Sequence, residues 1–196
     1  MSRSQHSVEQ QERQALARSV RVGGLCRVEK FDAAAMTVDV QPLSKALDGG
    51  TYRTPPQVLG VPVSLVRGGG FVFRPVYAAG DVGVLLYIDH DIDRIVEAGQ
   101  ESQPNTERNH SGDDAVFVGA FVPASNPVSG LPEGALVMAT EGGGVYIAIT
   151  PGGIQIKGNI TLDGAMEASG DVTAQGKSLV SHQHPGDSGG QTGPPA

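Results

Sequence analysis

The chain has 196 residues, room for one ordinary domain and an appendage but not for a second full domain. Glycine (28) and proline (13) are abundant, Trp is absent and only 4 Tyr and 5 Phe are available for a core, which suits thin β architecture rather than a large α/β enzyme. With 14 Lys and Arg against 21 Asp and Glu the formal net charge is −7; the basic stripe that a phosphate backbone demands is missing, and nucleic acid is not expected as a partner.

Residues 1–19, MSRSQHSVEQQERQALARS, are polar and rich in Gln, Glu and Arg, with Leu16 and Val20 at helical spacing and little other apolar face. An arm or short helix is predicted. No apolar h-region is present, and the longest apolar runs, such as 82–88, fall far short of the ~20 residues a membrane helix needs. The chain is expected to be made and assembled in the cytoplasm and to meet any membrane from outside.

Residues 20–123 hold runs that read as strands at 22–31, 36–41, 58–67, 71–77, 81–88 and 115–121, separated by Gly, Pro and Asp. Five or six short strands in about a hundred residues predict a small OB-like β-barrel. Its sequence lacks the aromatic and basic face of a single-strand binder. Cys26, the only cysteine, shares the parity of Val22 and Val28 and reads as a small buried hydrophobe rather than a nucleophile. Arg67-Gly68-Gly69-Gly70-Phe71 lacks a following Gly-Lys-Ser/Thr and reads as a hairpin turn rather than a phosphate cradle. Asp89, His90, Asp91 and Asp93 stand where a strand ends and Ile92, Ile95 and Val96 begin a short helix, so an Asp cap with a solvated turn is expected rather than a metal or acid–base cluster. His110, Asp113 and Asp114, in a hydrophilic stretch, are read the same way.

Residues 124–135 form a Pro, Gly and Ser-rich linker. An apolar, β-branched segment follows at 136–150, with Val145, Ile147 and Ile149 facing together and Gly142-Gly143-Gly144 as a bend; it reads as the entry strand of a shaft. Glycine then recurs every six residues at Gly152, Gly158, Gly164, Gly170 and Gly176. Even positions between them are mainly apolar (Ile154, Ile156, Ile160, Leu162, Met166, Ala168, Val172, Ala174, Val180, with Ser178 in one apolar slot), whereas odd positions are polar apart from Ala165 and Leu179. Strand alternation turns this into one apolar and one wet face punctuated by glycines.

Some thirty residues with one or two small aliphatics per hexad bury too little area to offset about 1–2 kcal/mol of backbone entropy per residue. The repeat needs neighbours, and other copies of the chain in a closed cyclic assembly supply them. Three copies suit a narrow prism with a thin apolar filling, each glycine allowing a turn from face to face. The metre ends at a His-x-His pair, His182 and His184, both even-numbered; if the strand register continues, both imidazoles point inward. Two histidines from each of three chains give an octahedral six-imidazole set, which favours iron, nickel or cobalt over four-coordinate zinc, with iron preferred on availability. A solvated Gly/Pro-rich loop is the alternative reading of the pair.

The hexad strand, the ending SHQHPGDSGGQTGPPA and the β-rich first half together resemble the central spike of contractile phage tails, the baseplate assembly protein V-like family. The resemblance covers most of the chain. It implies a mainly β fold: an OB-fold domain at 20–123 attached to the tail hub, an intertwined trimeric β-helix shaft at 136–181, and a pointed tip at 182–196. It further implies that His182 and His184 of three chains bind a single iron, and that the homotrimer, carried at the tail tip of the virion, pierces the host outer membrane. No catalytic residue and no enzymatic activity are expected.

Two other readings stand beside it. A hexapeptide-repeat acyltransferase also has a period of six, but its helix takes about eighteen residues per coil in one chain, so these hexads give fewer than two coils. An OB-type saccharide- or oligonucleotide-binding module on a stalk is the other. Gly186-Asp187-Ser188-Gly189-Gly190 spells the nucleophile string of trypsin-like proteases, yet only eight residues follow Ser188; a fold-back loop around a tip is the expected form.

Overall fold

A computed structural model describes residues 8–10, 13 and 20–193; most of the arm read at 1–19, and residues 194–196, lie outside the described residues. The chain divides after Val128 into two compact units.

The first unit is a curled half-barrel. Strands β1 (Gly23–Asp32), β2 (Thr37–Pro42), β5 (Val58–Pro62), β8 (Val82–Tyr87) and β9 (Ala115–Ala120) form one antiparallel sheet in the order β5-β2-β1-β8-β9. Where the two ends of this order meet, Val63 bridges Phe117 in parallel, and the Ser64 N–H donates to the Phe117 carbonyl at 2.8 Å. A meander of β1, β2 and β5, with β8 returning to the other side of β1, is the strand order expected of an OB-like Greek key. Curvature comes from register shifts between Val28 and Lys30, Val38 and Val40, and Gly83 and Leu85, since a bulge bends its strand and increases the twist.

Period-two alternation places Cys26, Val28, Val38, Val40, Val61, Leu85 and Phe117 inside. Phe117 packs edge-on against Tyr77, and Tyr77 against Phe31, at ring separations of 5.0 and 5.6 Å. Gly83 is obligatory, because a Cβ there would run into the Phe117 ring and the Gly119 carbonyl. The Cys26 thiol is fully buried with its sulfur 3.7 Å from the Gly83 carbonyl, and burial pushes it up to about 11; it is the inert hydrophobe its parity predicts.

Two small hairpins leave this sheet. β6 (Val66–Gly68) pairs with β7 (Phe71–Phe73) through Gly69-Gly70, both at positive φ, which is the turn read from the sequence. β3 (Ala46–Asp48) and β4 (Thr51–Arg53), joined by Gly49-Gly50 at positive φ, form a second hairpin that the sequence reading passed over. The single strand expected over 58–67 ends as β5 at Pro62 and resumes as β6 at Val66, and the one over 71–77 stops before Arg74-Pro75, as a proline without an N–H cannot extend a ladder. Helix α1 (Asp93–Ala98) follows β8.

The second unit holds a three-stranded antiparallel sheet, β10 (Leu136–Ala139), β11 (Tyr146–Thr150) and β12 (Gly153–Lys157). The segment expected to be one entry strand is therefore two strands, reversed at the Gly142-Gly143-Gly144 bend. Thr140 and Val145 close that bend, their backbones joined by a 2.9 Å hydrogen bond. Residues 158–172 carry no strand. A two-residue hairpin of β13 (Thr173–Ala174) and β14 (Lys177–Ser178) turns at Gln175-Gly176, both at positive φ. Among the described residues no helix is long and apolar enough to cross a membrane.

Candidate functional site

The register of the second sheet sorts its side chains by face. Leu136 stands opposite Ile149 and Ile149 opposite Ile154; Met138 stands opposite Ile147 and Ile147 opposite Ile156. Six large apolar side chains thus share one face, and all six are exposed in the single chain. The other face carries the fully buried Ala148 with Val137 and Gln155, and Lys157, which lies over the Tyr146 ring and donates to the Gly143 carbonyl at 2.7 Å. Beyond β12 the hexad side chains Ile160, Leu162 and Met166 are exposed as well. Gly158 and Gly164 repeat nearly the same backbone corner, φ 127° and 141°, a region reserved for glycine. The corner is not repeated through the whole metre: Gly176 is at φ 76°, and Gly152 and Gly170 are not at positive φ.

The route into the histidine pair differs from the continuous strand expected. Reversal at Gln175-Gly176 and a turn over 178–182 break the register, so the inward direction of His182 and His184 does not follow from even numbering. The two rings meet for another reason. Ser178 anchors the turn: its hydroxyl accepts the Ser181 N–H at 2.8 Å, and its carbonyl lies 2.8 Å from His182 Nδ1 and accepts the His182 N–H at 3.2 Å. His184 is fixed by Thr192, whose Oγ1 accepts the His184 N–H at 3.0 Å and whose N–H donates back to the His184 carbonyl at 2.9 Å. The imidazoles sit edge to face with centroids 5.1 Å apart. In the tautomer in which His182 gives its Nδ1–H to the Ser178 carbonyl, Nε2 keeps the free lone pair, an orientation that metal-ligating histidines use. In this arrangement His182 has Nε2 to offer a metal, while the contacts to Thr192 fix the backbone of His184 and not its ring.

Ser178, the residue out of place among the apolar slots, is the positioning group that sequence reasoning missed. Asp171 supports the same hairpin: its carboxyl accepts the Val180 N–H at 3.2 Å, and a hydrogen bond with the Ser178 side chain holds it below the usual carboxylate range. After His184 the chain folds back, Pro185 bridging Gln191 and the Gly186 N–H reaching the Gly190 carbonyl at 2.6 Å. Ser188 lies in this tight loop.

The acidic residues after β8 require a correction. Asp91 and Asp114, read as parts of a solvated turn and loop, are buried, at 3% and 0% exposure. Arg108 neutralises them. Its Nε donates to Asp114 Oδ2 at 3.0 Å and a terminal nitrogen to Oδ1 at 2.8 Å, while Asp91 and Asp93 lie 3.3 and 3.2 Å from the same guanidinium. At the start of α1 the Asp91 carboxylate accepts the Asp93 N–H at 3.0 Å, and Asp114 accepts that of Ile92 at 3.1 Å. Asp91, Asp93 and Asp114 offer oxygens close enough to surround a cation, but the guanidinium already fills that role. His110 Nδ1 stands 3.6 Å from Asp89.

Hydrogen bonding from Thr106, aided by the Asp93 amide and Arg108, holds the Asp91 carboxyl below its ordinary range. An unfolded aspartate titrates near ~3.9, so this stabilisation is complete above about pH 4 and fades as pH falls through the lower folded value. Asp91→Asn is expected to lower the melting temperature at neutral pH and to flatten the loss of stability on acidification, measured by thermal melts between neutral pH and pH 2; an unchanged acid slope would show that other carboxylates govern it.

Residues 25–119 match the family model described as Phage protein Gp138 N-terminal domain. The match spans β1 to β9, just under half of the chain, and ends before the second unit. The half-barrel is thus similar to the N-terminal domain of a phage protein. Comparison with curated proteins gives no match.

Proposed function

We propose that the protein is the homotrimeric central spike of a contractile phage tail. The half-barrel docks on the tail hub, and the segment from 136 onward winds with two other copies into a shaft that is driven through the host outer membrane when the sheath contracts. No bond is made or broken. What carries the reading is the uncovered aliphatic face of Leu136, Met138, Ile147, Ile149, Ile154 and Ile156, continued by Ile160, Leu162 and Met166, in a chain whose first unit matches a phage family. Full burial of such side chains stabilises by roughly 1.5–3 kcal/mol each, and two further copies of the chain would provide it. A single-chain hexapeptide helix draws no support from this unit, because every described strand pairing in it is antiparallel whereas stacked coils pair in parallel.

His182 and His184 would hold the metal at the tip, where it pins three chain ends at the place a strand bundle frays first. Iron is the expected metal. The native mass of the full-length protein tests the assembly: a trimer is expected, and a monomer at micromolar concentration would overturn the reading.

A further inference from the structure

The second unit begins at Ser129, inside the stretch that composition marks as a linker, and the next residue meets the Gly142-Gly143-Gly144 bend backbone to backbone. Gly130 is at φ 74° and Gly143 at φ 66°. A Cβ on Gly130 would stand 2.6 Å from the Gly142 carbonyl oxygen, and one on Gly143 would fall on the Gly130 carbonyl. Each glycine thus leaves the space that the other strand of backbone fills, an approach only a residue without a Cβ allows.

Gly143 is also held from its own side. It is buried, its N–H donates to the Thr140 carbonyl at 3.0 Å, and its carbonyl accepts a hydrogen bond from Lys157 Nζ at 2.7 Å. With both backbone polar groups committed, the bend turns away from Gly130 only by giving up one of them. Leu131 and Pro132, next to Gly130, are half-buried. On the sheet, Lys157 lies over Tyr146, and Ala148, two residues along the same face, is fully buried. The aliphatic face of the sheet is open, whereas at Ala148 the opposite face is covered.

We propose that residues 129–134 are a strap laid over the face of the sheet opposite the aliphatic one, with Gly130 and Gly143 as its clasp. Leu131 and Pro132 supply the cover of Ala148. Resting on the spike reading above, the strap makes the shaft begin at Ser129 rather than at 136, and it leaves one face of the sheet, the aliphatic one, to other copies of the chain. It also takes the second half of the connection out of slack, so that a push along the chain enters the sheet through a fixed strap and not through a free tether.

Proteolysis of the full-length protein after glutamate tests it. Glu133 is exposed within the strap, and Glu101 is exposed outside any helix or strand. A glutamyl endopeptidase should cut the parent at Glu101 and spare Glu133, because cleavage needs a length of chain that a clasped strap does not release. Gly130→Ala and Gly143→Ala should each speed cleavage at Glu133 by about tenfold, as the strap opens more often. Gly142→Ala is the control. Gly142 is at φ 77°, so the same backbone strain applies, but a Cβ there meets nothing within 4 Å, and cleavage at Glu133 should stay near the parent rate. Cutting of the parent at Glu133 as fast as at Glu101 would overturn the strap, a comparison that requires no variant to fold. Equal acceleration by Gly142→Ala and Gly143→Ala would overturn the clasp, since strain in the bend would account for both. A monomeric native mass would remove the spike reading and not the clasp, which joins residues of one chain.

Discussion

Ile156→Asp is expected to dissociate the trimer, whereas Gln155→Asp, one residue away, leaves it assembled with a nearly unchanged melting temperature. Ile156 stands opposite Ile147 on the uncovered face, while Gln155 stands opposite Ala148 on the other. If three such faces meet on an axis, the first substitution brings three carboxylates together in an apolar setting. Each loses hydration without gaining a partner, which costs several kcal/mol for the assembly, and each chain also forfeits roughly 1.5–3 kcal/mol of aliphatic burial. At Gln155 the new carboxylate stays in water. Sedimentation and thermal melts of both variants decide it, and equal damage from the two would mean that the face assigned to the axis is wrong.

The half-barrel was legible because its core is written by alternation. Cys26 and Val28, then Val38 and Val40, fall on one face of short runs bounded by Gly, Pro and Asp, and those are the side chains found buried. The Gly69-Gly70 turn was legible for a similar reason, its flanks being β-branched and aromatic. The equivalent signal at Gly49-Gly50 was passed over, because Leu47 and Tyr52 alternate with nothing that packs in a core; both are exposed. Asp91 and Asp114 misled for a deeper reason. Whether a carboxylate is solvated or buried depends on a partner's position in space, and Arg108 stands in a stretch whose composition resembles any hydrophilic loop. Sequence spacing carries no trace of that pairing.

In the second unit the hexad metre announced an apolar face and its need for company, but not the path of the chain. Gln175, a non-glycine residue at positive φ, begins the reversal that breaks the strand before the histidines. Extrapolating even-numbered parity from Val172 to His184 fails at that residue. The pair is brought together instead by hydrogen bonds that the Ser178 and Thr192 hydroxyls accept from the Ser181 and His184 N–H groups, a task their small side chains do not announce.

Those two anchors define what removing the histidines should do. His182→Ala/His184→Ala is expected to abolish bound metal while leaving the trimer assembled, since the aliphatic face of β10, β11 and β12 and the hexads beyond it are untouched. The parent protein should carry one metal for every three chains. Each chain offers two imidazoles 5.1 Å apart, too few donors for an octahedral ion by themselves, so on the proposed reading three chains would share it. Removing the metal should raise hydrogen exchange over residues 178–192 and not in the half-barrel, because the proposed pin acts on this turn, whose Ser178 and Thr192 hydroxyl contacts are exposed. Acid should release the metal from the parent, as a protonated imidazole has no lone pair to give. Elemental analysis of parent and double variant at matched protein concentration reads the outcome: three metals per trimer in the parent, or unchanged metal in the variant, would sink the shared site and return the histidine pair to an ordinary turn closed by Ser178 and Thr192.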